Sequence, residues 1–500
     1  MSKDQIIEIP EETIEDEFAV RREKRQKLID NNINPYPHIY KKEISLSGIK
    51  NTFATVTKEA PTEEIVITAG RIIAKRGHGK ASFANIADST DTMQIYARKD
   101  VLGDESYEIY SMLDLGDIIG VSGVPFITNT GELTIKISSF ILLSKALNPL
   151  PEKFHGLQDK ELRYRKRYLD LISNPEIKNV FRKRSQIISS IRKYLENQEF
   201  MEVETPVLHS IAGGANAKPF ITHHNALDMK FYLRIALELH LKRLIVGGFD
   251  KVFEIGRVFR NEGISYKHNP EYTLLELYQA YADYKDMMSL TENLLGSLAK
   301  ELTGSEKVQY GDVVLDFKPP FARMTMAEVI EKYSGVNINK HDFDSLKKEL
   351  KSKKISVDET LTTKGQLINL VYDKMVEHNI IQPTFITDYP LETSPLAKKH
   401  RDNPALVERF ELIVNTLEIA NAYSELNDPI DQRERFEEQL VQREAGDEEA
   451  HMMDSDFIES LEYGMPPTGG LGIGIDRVVM LLTNSPSIRD VLLFPHMRHK

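Results

Sequence analysis

Residues 259–278 read FRNEGISYKHNPEYTLLELY. At the end of the apolar run KVFEIGRVF, the residues Arg260, Glu262, Lys267, His268, Asn269, Glu271 and Glu276 stand among aromatics. If 252–262 is extended, alternation puts Glu254, Gly256, Val258, Arg260 and Glu262 on one face and Phe253, Ile255 and Phe259 on the other. If 271–281 is extended, Tyr272, Leu274, Glu276 and Tyr278 share a face, opposite Leu275, Leu277 and Tyr281. Two such strands make a sheet with one apolar face and one face of ionic and aromatic groups. A solvent-facing hairpin is the plain alternative. Arg and Glu beside Tyr, without scattered Lys and Thr, favour a concave working face.

Two further stretches carry the same kind of signal. In PPTGGLGIGIDRVVMLL (466–482) the glycines suggest a dinucleotide fold. That reading needs a βαβ unit with an acidic residue about twenty positions on, and the residues after Asp476 are too few for it. A glycine-rich strand passing close to a ligand and feeding a helix fits better. Asp476 suits the start of that helix, whereas Arg477 there opposes the macrodipole. A polyphosphate would reverse that penalty, because helix end and guanidinium both favour anions. The alternative is an Arg477 paired with Asp476 or reaching out to solvent. In ERFELIVNTLEIANAYSEL (408–426) a tight turn at Val414–Asn415 would set Glu411 opposite Glu418. Facing carboxylates repel unless a cation lies between them, and beside polyphosphate the expected cation is Mg2+. Two unrelated exposed glutamates are the alternative. GHGKAS (77–82) resembles a P-loop but has Ala at position 74 and Ala after Lys80, which rejects it.

These residues need elements to position them. Residues 13–33 read as an amphipathic helix stopped by NPYP. Between 64 and 145, short β-rich runs separated by turn residues predict a small closed sheet of the OB type. NPLPEKFHG follows as a linker. Residues 176–200 have helical spacing through Val180, Ile187, Ile188, Ile191 and Leu195. MEVETPVL is a strand that Pro206 confines to a sheet edge or strand end. Strands then dominate around the opening stretch. Helical segments are expected at 285–302, within 326–380 and at 429–446. Without regular βαβ alternation, the expected class is α+β with a largely antiparallel sheet. The expected division is a helical extension (1–60), an OB domain (61–148), a linker and interface segment (149–175) and a catalytic domain (176–500).

The chain has 500 residues, 41% hydrophobic and 28% charged, which is globular composition with room for more than one domain. No run of eighteen apolar residues predicts a membrane span, and the first residues lack the shape of a signal peptide. Cysteine is absent, which excludes disulfides and thiolate metal sites and suits a reducing cytoplasm. The net charge of −12 repels nucleic acid, so any such binding must use local patches. Candidates are Arg21, Arg22, Lys24, Arg25 and Lys27; Arg71, Lys75, Arg76 and Lys80; and Arg163, Arg165, Lys166 and Arg167. A solvated charged face is the plain reading of each.

FRNE…HNPEYT resembles motif 2 of the class II aminoacyl-tRNA synthetases, GLGIGIDR resembles motif 3, and the 176–200 helix with EVETPVL resembles motif 1, the dimer motif. GGANAKPFITHHNALDMKFYLRIALELHLKRL, TSPLAKKH and LEIANAYSELNDPIDQRERFEEQ narrow the resemblance to the lysine-specific branch, from about residue 13 onward. The resemblance implies a homodimer that joins lysine to ATP as lysyl-adenylate, releases pyrophosphate and passes lysine to the terminal ribose of tRNA-Lys. No covalent enzyme intermediate is implied. It implies that Arg260 binds the α-phosphate, that Glu262 and backbone near Asn269 meet the adenine edge, and that Tyr272 stacks on the ring. His268 and Arg477 would take the outer phosphates, and Glu411 and Glu418 would hold Mg2+. For L-lysine it points to Glu238, Glu276, Tyr278, Asn421 and Glu425, with Gly214 near the α-amino group. For the anticodon it points to Arg76, Phe83, Gln94 and Glu132 on the OB sheet. Leu237, His240, Lys267 and the glycine-free turn DSTDTMQ depart from the family's common pattern. An aspartyl or asparaginyl relative would need a cationic pocket. An elongation-factor-lysylating relative lacks the OB domain. A non-catalytic relative would have lost Arg260, Arg477 or a metal glutamate.

Overall fold

A computed structural model of the chain describes residues 11–77, 79–151, 157–358, 361–444, 446 and 449–498. The first ten residues, His78 of GHGKAS and positions 152–156 of the expected linker lie outside the described residues. Two compact units divide at Leu157–Gln158.

In the first unit, helix α1 (Glu11–Asp30) precedes α2 (Leu46–Thr52), whose first turn is capped by the Ser45 hydroxyl accepting from the Gly48 N–H. Strands β1 (Val66–Arg76), β2 (Ala81–Ala87), β3 (Thr92–Arg98), β4 (Ile118–Ile127) and β5 (Leu133–Ser144) close a barrel in the order β1-β2-β3-β5-β4. Only β3 and β5 run parallel. Closure leaves no free edge, and Ile72, Ile86, Ile95, Val121 and Ile135 fill the interior. Helix α3 (Asp104–Ser111) adds Tyr107 and Tyr110 to this core.

The basic clusters are largely committed inside the fold. Arg21 is buried and donates to the carbonyls of Leu115, Ala146 and Asn148. Lys24 pairs with Asp114 at 2.5 Å. Lys75 donates to the carbonyls of Tyr110, Ser111 and Leu113, just where α3 ends and its carbonyls lack helical partners. Arg76 and Lys80 remain exposed. In the second unit Arg167 is buried between Asp170 and the carbonyls of Arg489, Leu492 and Leu493.

The second unit begins with short helices at Lys160–Arg165 and Arg167–Ser173, followed by α4 (Ile177–Asn197). Helices α5 (Glu238–Val246), α6 (Tyr284–Thr303), α7 (Pro429–Glu444) and α8 (Ile475–Leu482) are the others that bear on the site. The sheet strands are β6 (Met201–Glu202), β7 (Lys251–Phe259), β8 (Glu271–Ala280), β9 (Ala322–Thr325), β10 (Thr384–Pro390), β11 (Leu406–Val414), β12 (Leu417–Ser424) and β13 (Thr468–Gly474). They lie in the order β9-β10-β11-β12-β13-β8-β7-β6, antiparallel except for the β9–β10 and β7–β6 pairs. Pro206 falls just beyond the edge strand β6, as its missing N–H requires. Phe253, Leu275 and Leu277 on one face join α4, α6 and α8 in the main core. On the other face Glu254 pairs with Glu276, Gly256 with Leu274 and Val258 with Tyr272. No helix of the described residues is long and apolar enough to cross a membrane.

The expected turn in 408–426 is displaced. Asn415 and Thr416 form it, both left-handed with φ of 46° and 62°. This two-residue mirror turn matches the right-handed twist of its strands. Val414 pairs with Leu417 and Ile413 with Glu418, and after a bulge Glu411 pairs with Asn421 rather than with Glu418. The two glutamates still line one cavity.

Candidate active site

A cavity of about 410 Å³ opens on the polar face of the second unit's sheet. Gly214, Glu238, Arg260, Glu262, His268, Asn269, Tyr272, Glu276, Tyr278, Glu411, Glu418, Asn421, Glu425 and Arg477 all line it. Its walls come from segments more than two hundred positions apart, and the sheet order makes them neighbours: β13 lies between β12 and β8.

One end is cationic. Strand β7 stops at Phe259, and the Arg260 N–H donates to the carbonyl of Pro270, which closes the base of the 260–270 loop. The Arg260 guanidinium lies 5.5 Å from the Tyr272 ring centroid, and its buried Nε has no hydrogen-bond partner among the described residues. A buried cationic donor without a partner is costly, so the position suits an anion. Arg477, in the first turn of α8, donates to the Glu418 carbonyl at 2.6 Å and approaches His268 Nε2 at 3.3 Å. Burial, then Arg477, lowers the His268 pKa, which leaves its ring neutral. Arg477 does not pair with its neighbour: Asp476 is buried, bonds Arg184 of α4 at 2.5 Å and accepts from the Thr273 N–H at 2.8 Å. This contact joins α8, α4 and β8 at one carboxylate. The Asn269 side chain is also committed, donating to the Glu271 carbonyl and accepting from the His496 N–H. Glu262 stands exposed at the mouth. Lys267 donates to the Thr416 carbonyl at 2.9 Å and so ties the loop to the β11–β12 turn.

Between the two ends lie Glu411 and Glu418. Burial raises the Glu411 pKa to about 7, Arg409 opposing and Glu418 adding to the shift. Arg409 donates to Glu411 at 2.6 Å, to Asn421 Oδ1 at 3.2 Å and to the Ser394 hydroxyl at 2.9 Å, its guanidinium 4.4 Å from the Tyr389 ring centroid. Among the described residues no group of three or more His, Cys, Asp or Glu could hold a metal. Two carboxylates suffice for Mg2+, which completes its shell with water and substrate phosphates. The mutual repulsion within this pair fits a cation.

The other end is anionic. Glu276 Oε1 accepts from the Leu237 N–H at 3.0 Å and Oε2 from the Tyr278 hydroxyl at 3.2 Å. Burial, then Glu238, pushes the Glu276 pKa up to about 8. Glu425, only 1% exposed, is also raised to about 8 by burial, with Lys242 pulling down and Glu238 pushing up. Its Oε1 has no hydrogen-bond partner among the described residues. Gly470 on β13 is what lets Glu425 and Tyr278 approach. A Cβ there would lie 1.9 Å from Glu425 Oε1 and 2.5 Å from the Tyr278 ring. Gly214 has φ +89°, and a Cβ would come within 3.0 Å of the Ala236 methyl.

Several residues of this site escaped the sequence reading. Lys242 is fully buried and pairs with both Glu238 and Glu425. Its spacing of four from Glu238 is the helical ion-pair signal that could have found it. Arg409 alternates with Glu411 on β11 and could have been found the same way. Gly470 was covered only by the reading of 466–482 as a glycine-rich strand close to a ligand, and His451 gave no local signal.

In the first unit a groove is lined by Arg76, Phe83 and Gln94, together with Lys58, Tyr96, Phe126 and Thr130. Phe83 stacks on Tyr96 at 4.4 Å between ring centroids, and Phe126 stands 6.0 Å from Tyr96. Glu132 is not part of the lining. It accepts from the Gln94 amide at 3.0 Å, while Thr134 donates to the Gln94 carbonyl oxygen. The amide is thereby fixed for an outside partner. Tyr96 and Phe126 were not anticipated.

Residues 159–498 match the family described as tRNA synthetases class II (D, K and N), and residues 66–143 match the OB-fold nucleic acid binding domain. The chain is 55% identical over 490 residues to a protein of Halalkalibacterium halodurans named Lysine--tRNA ligase, spanning 97% of this chain and 98% of the relative. It is 54% identical over 492 residues to the proteins of the same name from Bacillus subtilis and Bacillus thuringiensis, spanning 98% of each partner. With an OB barrel, an antiparallel sheet carrying all three motif segments and a cavity cationic at one end and anionic at the other, the chain belongs to the class II tRNA synthetases.

Proposed function

We infer that the chain is a lysine–tRNA ligase, which activates L-lysine with ATP and transfers it to tRNA-Lys. The observation that carries the choice of amino acid is the anionic end of the cavity. Glu238, Glu276 and Glu425 surround it with one internal cation, Lys242, and Glu425 Oε1 lacks a partner. A site for aspartate or asparagine within the same family would need donors there instead. A long side chain ending in an ammonium group fits acceptors at depth.

The chemistry follows from position and charge. The lysine carboxylate attacks the α-phosphorus of ATP in line, and pyrophosphate leaves. Arg260 lies where the α-phosphate would sit and stabilises the charge that builds on it. Arg477 and neutral His268 take the outer phosphates, Tyr272 the adenine ring and Glu262 its edge. Glu411 and Glu418 would hold Mg2+, which neutralises phosphate charge when bound. Glu425, Tyr278 and Glu276 orient the substrate ammonium groups, with Asn421 and Gly214 completing the pocket. This chain's own contribution is alignment and counter-charge, with no covalent enzyme intermediate. A terminal ribose hydroxyl of tRNA-Lys then attacks the adenylate carbonyl, loses its proton and expels AMP. Its anticodon bases would stack on Phe83, Tyr96 and Phe126 beside Arg76 and the Glu132-held Gln94. We also assign a homodimer, through the α4 segment that resembles motif 1, and a cytoplasmic location.

Amino-acid-dependent exchange of pyrophosphate into ATP, run with all twenty amino acids, tests the reading. Exchange with lysine is expected. Exchange with aspartate or asparagine instead would overturn the substrate, and none with any amino acid would overturn the enzyme.

A further inference from the structure

Lys242 is the one cation buried at the anionic end of the cavity, with no exposed surface of its own. Its ammonium group bonds Glu238 at 2.5 Å and also Glu425. Burial alone would lower its pKa, but the two carboxylates raise it above the ordinary lysine value, so it is charged at every working pH. Glu238 on its own helix α5 and Glu425 at the end of β12 face it directly, and its charge reaches His451; Glu276 and Tyr278 on β8 and Tyr423 on β12 face those carboxylates in turn, and the Arg260 guanidinium acts on Glu276. His451 is stacked on Phe436 of α7, and burial holds its pKa down to about 4, so it adds no charge near neutrality. The tyrosine hydroxyls are raised and stay neutral as well.

The fully ionised pocket therefore contains three carboxylates and one ammonium group. We propose that Lys242 sets the charge of the lysine pocket, cancelling one of its three carboxylates so that two negative charges remain for the two ammonium groups of the substrate. This rests on the lysine pocket assigned above and adds a positioning residue to it. Lys242 touches no reacting atom. It acts through Glu238 and Glu425, and it links α5 to the end of β12, the two elements that carry them. Without it, three carboxylates would face two cations in a buried space. The pocket would then retain a further proton near neutral pH, and that proton would have to leave before lysine could bind.

The test is the pH profile of the lysine KM in pyrophosphate exchange between pH 6.5 and 9. In the wild type the KM falls as the pocket deprotonates. Lys242→Met should move that fall upward by about one pH unit, raise the KM at pH 7 roughly tenfold and leave the KM for ATP unchanged. Lys242→Arg, which keeps the charge, should keep the wild-type pH profile. Lys242→Met combined with Glu238→Gln restores two negative charges and replaces a buried ion pair by neutral groups, a change folds often tolerate. Its KM is expected to be higher at every pH, with the wild-type pH dependence regained. A merely structural tether would instead raise the KM by one factor across the range. An unshifted profile in a folded Lys242→Met protein, or a shifted one in the double variant, overturns the proposal. If Lys242→Met does not fold, the double variant decides alone. Absence of lysine-dependent exchange in the wild type would mean that the function assigned above has failed, which is a different result.

Discussion

At the scale of single residues, the cavity is defined by groups left without internal partners. Arg260 Nε and Glu425 Oε1 are buried and unbonded among the described residues, one at each end. Each incurs a desolvation cost that a bound substrate relieves. Arg260→Ala should lower the rate of pyrophosphate exchange by roughly 10²–10³-fold, as loss of a charge-stabilising donor does. The fold should be unaffected by circular dichroism, and near-normal exchange in that variant would remove Arg260 from its assigned role. Gly470→Ala probes the other end. Its methyl would collide with Glu425 and Tyr278. Displacement of these groups by about an ångström should raise the lysine KM on the order of 10²-fold, with the KM for ATP little changed. Equal effects on both substrates would show that the strand, not the pocket, had moved.

At the scale of elements, the hairpin of β7 and β8 was legible because side chains alternate within each of its two strands; which residues pair, Glu254 with Glu276 and Val258 with Tyr272, depends on the loop between them and is seen only in the structure. The barrel was legible for another reason, the succession of short β-rich runs separated by turn residues between 64 and 145. The β11–β12 hairpin was not, since a bulge and a one-residue shift of the turn change which residues meet. Asn-Thr is a weak signal where Asn-Gly would be a strong one. The internal use of Arg21, Lys75 and Arg167 was equally hidden, because a cation bound to carbonyls of distant segments has the same local sequence as a solvated one. Thr416 is β-branched in a left-handed conformation at φ 62°. Thr416→Gly should stabilise the protein by roughly 0.5–1 kcal/mol, seen as a higher Tm, because glycine is the preferred residue there. The variant keeps the backbone carbonyl that Lys267 grips, so exchange activity should persist. A lower Tm would mean that the turn is held by its side chain rather than by its backbone.

At the scale of the whole molecule, buried carboxylates make stability depend on pH. Glu276 and Glu425 rise from the ordinary 4.5 to about 8 in the folded chain. Between those values the folded state binds more protons than the unfolded one. The stability these groups contribute is full below about 4.5 and is lost as pH rises through 8. The substrate-free protein should therefore melt at a lower temperature at pH 8.5 than at pH 6. Saturating lysine should raise the Tm more at the higher pH, where its ammonium groups meet ionised partners. Equal lysine-induced shifts at both pH values would contradict the assignment of these carboxylates to the substrate. The net charge of −12 has a second effect: tRNA must be drawn in by a few exposed cations such as Arg76 and Lys80 against an overall repulsion. Binding should accordingly weaken steeply with added salt.

The cationic end of the cavity bears on the direction of the reaction. Arg477 is fixed by the Glu418 carbonyl on the neighbouring strand, not by the nucleotide, so it stays in place after the α–β bond breaks. On the assignment proposed above, a cradle that holds a triphosphate also holds the departing diphosphate. The leaving group can therefore return as an attacker. Forward commitment comes from the steps that follow, the passage of lysine to tRNA-Lys proposed above and hydrolysis of pyrophosphate in the surrounding solution.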